Sequence, residues 1–234
     1  MMTKNIDFRN LAGMGKPILF LDTCSFLDII RDITRETVTK SNVEASFHLL
    51  KKAEEDQGII VLMAEQVMHE LNDNESHVEN EANRSLVKFK SQAIRVNDVA
   101  SLFGSRNNLD VGHLDTHVVR AKSILKRWKD VSYLIPQVES IPQRAFLRVM
   151  SARTPSRKGK ESMKDCVVTE SYLDIAAKLR ILGLTSPIVF TSSNTKDYYS
   201  PNATQLSDDI NDDFKEFNID YAPNFGAAKY LLGV

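Results

Sequence analysis

Three short runs of uninterrupted apolar residues constrain this chain more than anything else in it. They are "PILFL" at 17–21, "IIVLM" at 59–63 and "PIVF" at 187–190. Each is too short for a buried helix, and none alternates as a strand with one wet face would. They read as strands buried on both faces, the pattern of a parallel sheet covered by helices. Helical spacing fills the intervals. After the first run, Phe26, Leu27, Ile29, Ile30 and Ile33 fit one helical face, and Val43, Phe47, Leu50 and Ala53 mark a second helix across 42–55. "AEQVMHELNDN" follows the second run as another helix. Near the end come an acidic amphipathic helix, "LSDDINDDFKEF", a fourth short strand, "IDYA", and a closing helix, "FGAAKYLLG". Strands alternating with helices predict an α/β fold, a parallel sheet in a three-layer α/β/α arrangement.

The middle of the chain is different. Residues 78–150 read as largely helical, loosening near "GSRNNLDVG", and "SARTPSRKGKES" at 151–162 has no periodicity and reads as a mobile loop. "MKDCVVTESYLDIAAKLRIL" returns to helix and stops at Gly183. The expectation is one domain over 1–234, with 78–160 a basic, mainly helical insertion and mobile loop within it. The formal net charge is −1, but between Arg84 and Lys164 there are 17 Lys and Arg against 6 Asp and Glu, a local +11. The remainder carries −12. Such asymmetry points to a polyanionic partner, against the plainer reading of solvated helix faces. No apolar run approaches the roughly 20 residues that span a bilayer, and "MMTKNIDFRN" lacks a signal-peptide core. Cys24 and Cys166 form no metal spacing or disulfide framework. The chain is therefore expected to be cytoplasmic, with reduced thiols and no membrane partner.

In parallel α/β sheets, functional groups gather beyond the carboxyl ends of the strands. Asp22 stands there after the first run, and Asn194 and Asp197 follow the third in "VFTSSNTKDY". Glu70 lies in "VMHEL" after the second, and Asp165 opens a helix after the basic loop. Taken singly, an Asp after a strand is a helix cap and a helical Glu is solvated. Taken together, converging carboxylates raise one another's pKa, and a hard divalent cation relieves that. Mg²⁺ suits the part, taking one or two carboxylates, several waters and substrate phosphate oxygens. Two other acid-led patterns fail on named residues. A haloacid-dehalogenase-like phosphatase needs a second acid where Cys24 stands, and a D-x-S-x-S metal motif needs serines where Cys24 and Phe26 stand.

At these residues the chain resembles the PIN-domain nucleases, in a PIN-like bacterial branch. "ILFLDTCSFL" is similar to the family's first strand and acid, and "VMHEL", "KDCVVTESYL" and "VFTSSNTKDY" to the following acidic segments. The resemblance covers residues 17–71 and 160–232. It implies phosphodiester hydrolysis with Mg²⁺ or Mn²⁺, two ions, and 5′-phosphate and 3′-hydroxyl products. Asp22 and Asp165 would hold the principal ion, with Glu70 and Asp197 placing a second or orienting water. Thr23, Ser25 and Asn194 would support them. Thr195 occupies a place where many members carry an Asp, which keeps open a scaffold that binds nucleic acid or a partner protein without efficient turnover. Glu170, about 140° around an ideal helix from Asp165, is a candidate ligand through water. The resemblance favours RNA over DNA, as toxin, RNA-processing or defence effector, and leaves room for a homodimer or an inhibitory or effector-system partner. Single-stranded or branched DNA is the alternative substrate, since nothing here reads a 2′-hydroxyl.

For holding substrate, Arg153, Arg157, Lys158, Lys160 and Lys164 flank Asp165, and Lys126, Arg127 and Lys129 surround Trp128. Loop cations of this kind clamp phosphates. Trp128 reads first as core and second as a stacking surface. His113 and His117, at i and i+4, have zinc spacing but no further Cys or His nearby to close a site, and His69 reads as structural.

Overall fold

The computed structural model describes residues 6–55, 58–106, 109–157, 159 and 162–234. In chain order the elements are α1 (Phe8–Gly13), β1 (Ile18–Leu21), α2 (Thr23–Leu27), α3 (Lys40–Glu54), β2 (Ile60–Ala64) and α4 (Glu65–Leu102). A 3-10 turn (Gly112–Leu114) leads to α5 (His117–Val131), β3 (Tyr133–Ile135), α6 (Ser140–Met150) and α7 (Met163–Ile181). Then come β4 (Ile188–Thr191), α8 (Thr195–Tyr198), α9 (Asp208–Glu216), β5 (Ile219–Ala222) and α10 (Phe225–Leu232).

All strand pairs are parallel, in the order β3-β2-β1-β4-β5. β1 is central, with Ile18 facing Ile60 on one side and Ile188 on the other. Every residue of β1, β2 and β4 is buried, as unbroken apolar runs demand when both faces are covered. One covering layer joins α3, α5 and α10, where Trp128 stacks on Phe225 at 5.6 Å. The other is built on α7, whose Tyr172 stacks on Phe20 at 4.5 Å and 9°.

The three-layer parallel architecture is as expected, with local corrections. Residues 133–135 form an edge strand on β2 where helix was expected, and α5 places Leu125 and Trp128 in the main core. The basic middle thus closes one side of the sheet. The helix after β1 ends at Leu27, well short of residue 33, and a short helix, α8, stands where a loop was expected. α4 runs on for 38 residues, packing Val67, Leu71, Val78, Ala82 and Leu86 while Val87, Val96, Leu102 and other apolar residues near its end stay exposed.

The segment read as a mobile loop is anchored where it is described. The Thr154 amide and hydroxyl donate to Asp209 at 2.6 and 2.8 Å, and Arg153 pairs with Asp213 at 2.7 Å. Beneath it, buried Arg148 donates to Glu170, Asp213 and the Thr154 carbonyl, each at 2.7 Å. Burying a guanidinium is tolerated only when its donors find such acceptors. Lys158 and Lys160 lie outside the described residues.

Candidate active site

The strand order reverses direction between β1 and β4: successive strands build outward one way from β1, then the other way from β4. Crevices beyond the carboxyl ends of strands at such a switch point are where α/β sheets bind ligands. Asp22 leaves β1 at that point, and Ser192 leaves β4. The Ser192 hydroxyl donates to Asp22 Oδ2 at 2.7 Å, and the Asp22 amide donates to the Thr191 carbonyl at 3.0 Å. The Cys24 thiol adds a donor to Oδ2 at 3.1 Å, and the Thr23 amide donates to Oδ1 at 2.7 Å. Asp22 is therefore the N-cap of α2, as the plainer reading had it, but a cap only 5% exposed and held from two strands.

Thr23 extends the construction. Its hydroxyl donates to Glu70 Oε2 at 2.7 Å, while Gln66 donates to Oε1 at 3.0 Å. The residue next to the first acid thus fixes the second. Ser25 instead ties α2 to β4 through the Thr191 carbonyl at 3.1 Å. Tyr172 braces the rim: its hydroxyl donates to the Leu21 carbonyl at 2.6 Å and accepts from the Ala64 amide at 3.2 Å, filling the gap where β1 and β2 part.

A cleft of about 470 Å³ collects Asp22, Thr23, Glu70, Asp165 and Asn194 on its walls. Burial pushes the Asp22 carboxyl above the ordinary aspartate range, and Glu70's charge pushes the same way, against the hydrogen bonds from Ser192, Cys24 and Thr23. Burial and the Asp22 charge also drive the Cys24 thiol far up, so it stays a protonated donor. A divalent cation between them would relieve the repulsion of Glu70 on Asp22.

Asn194, on the cleft wall, donates to Asp197, which is itself buried. Thr195 begins α8. Glu170 is taken up by Arg148 at 2.7 Å and Arg144 at 3.4 Å, which removes it as a water-mediated ligand. Trp128 is fully buried, so the stacking role is excluded. Around it, Lys126 pairs with Asp130 at 2.7 Å, Arg127 with Glu54 at 2.6 Å and Lys129 with Glu75 at 2.5 Å. Arg157 donates to the Tyr199 carbonyl at 3.4 Å, and Lys164 is exposed. His113 sits in the 3-10 turn and His117 begins α5, so the two do not share one helix face.

One residue at the site carries no sequence signal of its own: Ser192, which holds Asp22, follows β4 as an ordinary small polar residue. Asn74, His77 and Glu81 line the cleft on α4, and their spacing of four, three and four from Glu70 was readable as one helix face. Arg31 and Arg35 also line it, from the turns after α2.

Among the described residues, no three His, Cys, Asp or Glu side chains form a ready-made metal cage. Oxygen donors spread along a polar cleft nevertheless fit Mg²⁺ or Mn²⁺ chemistry. Mg²⁺ keeps most of its waters and recruits substrate phosphate, so one or two carboxylates suffice. No helix is long and apolar enough to cross a membrane among the described residues. No curated protein and no solved structure matches the chain. The family model described as PIN domain matches residues 19–198, a span that takes in Asp22, Glu70, Asp165 and the basic middle. The matched span holds the central strand with its buried, doubly held carboxylate and the acids on α4 and α7, and the chain belongs to the PIN-domain family.

Proposed function

We propose that the chain is a divalent-metal-dependent nuclease that hydrolyses phosphodiester bonds, with RNA as the substrate class and internal cleavage as the mode. One observation carries the reading: Asp22, Glu70 and Asp165, from three separate elements, line one cleft at the sheet's switch point. The three carboxylates would hold Mg²⁺ or Mn²⁺, with Asn194 at the margin and Asp197 behind it. A bound divalent cation supplies Lewis acidity toward a phosphoryl oxygen and brings water within reach of deprotonation at neutral pH. The chain's own part is positional. Ser192, Cys24 and the Thr23 amide fix Asp22, and Thr23 and Gln66 fix Glu70, so the acids meet the cation without searching rotamers.

A second reading, a scaffold that binds nucleic acid with weak turnover, is favoured by the burial of Asp197 and by Thr195 at the fourth acidic position. Labelled RNA, single-stranded DNA and duplex DNA, each incubated with EDTA, Mg²⁺ or Mn²⁺, separate the readings. Cleavage of RNA that requires metal and disappears in Asp165→Asn, with folded protein undiminished, is the expected result. Binding without turnover under both metals would replace it with the scaffold, and preferential cleavage of single-stranded DNA would change the substrate class.

A further inference from the structure

The acidic cleft has neighbours. Arg31 lines it and also lines two further cavities, of about 590 and 420 Å³, so all three adjoin one guanidinium. Arg35 is shared by the cleft and the middle cavity. Asn42, Val43 and Phe225 are shared by the middle and far cavities. The far cavity is the apolar one, walled by Ile29, Ile124 and Phe225, with Val43 and Phe47 of α3 left 41% and 46% exposed there.

The chemistry therefore changes in a fixed order: carboxylates, then guanidinium groups, then apolar and aromatic walls. A nucleic acid strand has the matching order of scissile phosphate, neighbouring phosphate and base. The arginines fit the middle position. Arg127 and Arg148 hold their carboxylates at 2.6 and 2.7 Å, whereas Arg31 and Arg35 stand off a shared carboxylate, Asp28, at 3.3 and 3.6 Å, and Arg35 donates besides to the Thr37 hydroxyl at 3.1 Å. Arg35 Nε is buried with no hydrogen-bond acceptor. Loosely engaged guanidinium groups are suited to a phosphate, which accepts them bidentately. A base inside a duplex cannot enter a walled cavity, while an unpaired base can be turned out and stacked on an aromatic ring.

We propose that the far cavity receives one unpaired base of a single-stranded nucleic acid, stacked on Phe47, with Arg31 and Arg35 on the phosphate that joins it to the cleft. The proposal rests on the nuclease reading for its orientation, but its test does not. Dye-labelled single strands, ribo and deoxy, carrying one abasic site walked along the sequence, are bound to the full chain in EDTA and read by anisotropy. Stacking one base on an aromatic side chain contributes about 1–3 kcal/mol, which at 1.4 kcal/mol per decade is about 5- to 140-fold in Kd. One abasic position should weaken binding by that factor. Phe47→Ala, at a half-exposed site that does not threaten folding, should weaken the intact strand similarly and erase the penalty at that position. Val43→Trp, filling the mouth, should do the same.

An equal penalty at every position, or a penalty that survives Phe47→Ala, overturns the proposal. Cleavage of the intact strands under Mg²⁺ and Mn²⁺, run in parallel, keeps the two readings apart. Phe47-dependent binding without cleavage upholds the base site and removes the nuclease. Cleavage with no abasic-sensitive position does the reverse, and failure both to bind any strand and to cleave one under either metal overturns both.

Discussion

Replacing Asp22 with asparagine removes one negative charge and almost no volume, and the structure gives the change a definite sign. The carboxylate is 5% exposed and accepts from the Thr23 amide and the Ser192 hydroxyl, both at 2.7 Å, and from the Cys24 thiol at 3.1 Å. An asparagine keeps an acceptor for Thr23, and its NH₂ can donate to a Ser192 hydroxyl that has turned round. Making the two strong bonds neutral costs about 1 kcal/mol each. Against this stands the burial of an ion, several kcal/mol in effective terms, increased by Glu70. Burial leads, because it raises the Asp22 pKa in spite of those hydrogen bonds. The variant should therefore be more stable at neutral pH without metal, by about 1–3 kcal/mol, while losing activity, as relieved functional sites commonly are. For a chain of this length that is a rise of roughly 2–12 °C in Tm. The pH dependence follows from the same direction. In the folded protein Asp22 releases its proton at higher pH than in the unfolded chain, so the parent loses stability as pH rises through that interval. The variant has no such loss. Its advantage should be near zero below the ordinary aspartate pKa of about 3.9 and grow as pH rises above it. Denaturant melts in EDTA across that range test this. A variant less stable than the parent at neutral pH, or an offset that ignores pH, would refute the reasoning. Mg²⁺ should then stabilise the parent, by about 2.7 kcal/mol at a hundredfold excess over Kd, and the variant less.

Tyr172→Phe keeps the ring on Phe20 but orphans the Leu21 carbonyl and the Ala64 amide. At 1–3 kcal/mol per buried orphan the loss should be about 2–6 kcal/mol, and a change in denaturation free energy under about 0.5 kcal/mol would show that the hydroxyl is not bracing the rim. Arg148→Met should cost about 3 kcal/mol, the low end for breaking a buried pair, because Arg144 and Arg153 still reach Glu170 and Asp213. Adding Glu170→Gln and Asp213→Asn should recover most of it; no recovery would mean that the loss comes from packing. Replacing Arg157, Lys158 and Lys160 with serine should flatten the plot of log binding constant against log salt for single strands by up to about 2, at roughly 0.7 per phosphate contact. An unchanged slope removes this segment from the binding surface.

The sheet was legible because burial on both faces leaves no alternative to an unbroken apolar run. β3 was not, since Tyr133 and Leu134 are only half buried at an edge and Pro136 follows at once. The acids of the cleft were legible from their places after strands, but their supports were not. Ser192 reaches Asp22 across 170 residues and Thr23 reaches Glu70 across 47, distances on which periodicity is silent. Charge misled in the same way. The +11 stretch looked like one exposed surface, yet folding brings Glu54, Glu75 and Glu79 from earlier segments onto Arg127, Lys129 and Lys122. The segment's imbalance is a property of the unfolded string and is partly cancelled in space. Glu170 shows the limit of a motif read alone: its partner Arg148 lies 22 residues upstream, on another helix.

The bond between Ser192 and Asp22 has a bearing on how the protein comes into being. A ribosome delivers Asp22 and Glu70 early and Asp165 and Ser192 late, and β4 must slot beside β1 before the first acid is held from both sides. Until roughly the last fifth of the chain has emerged, the growing polypeptide has no assembled acidic rim. On the proposed nuclease reading, a nascent chain therefore lacks the site that would cut the message from which it is being translated.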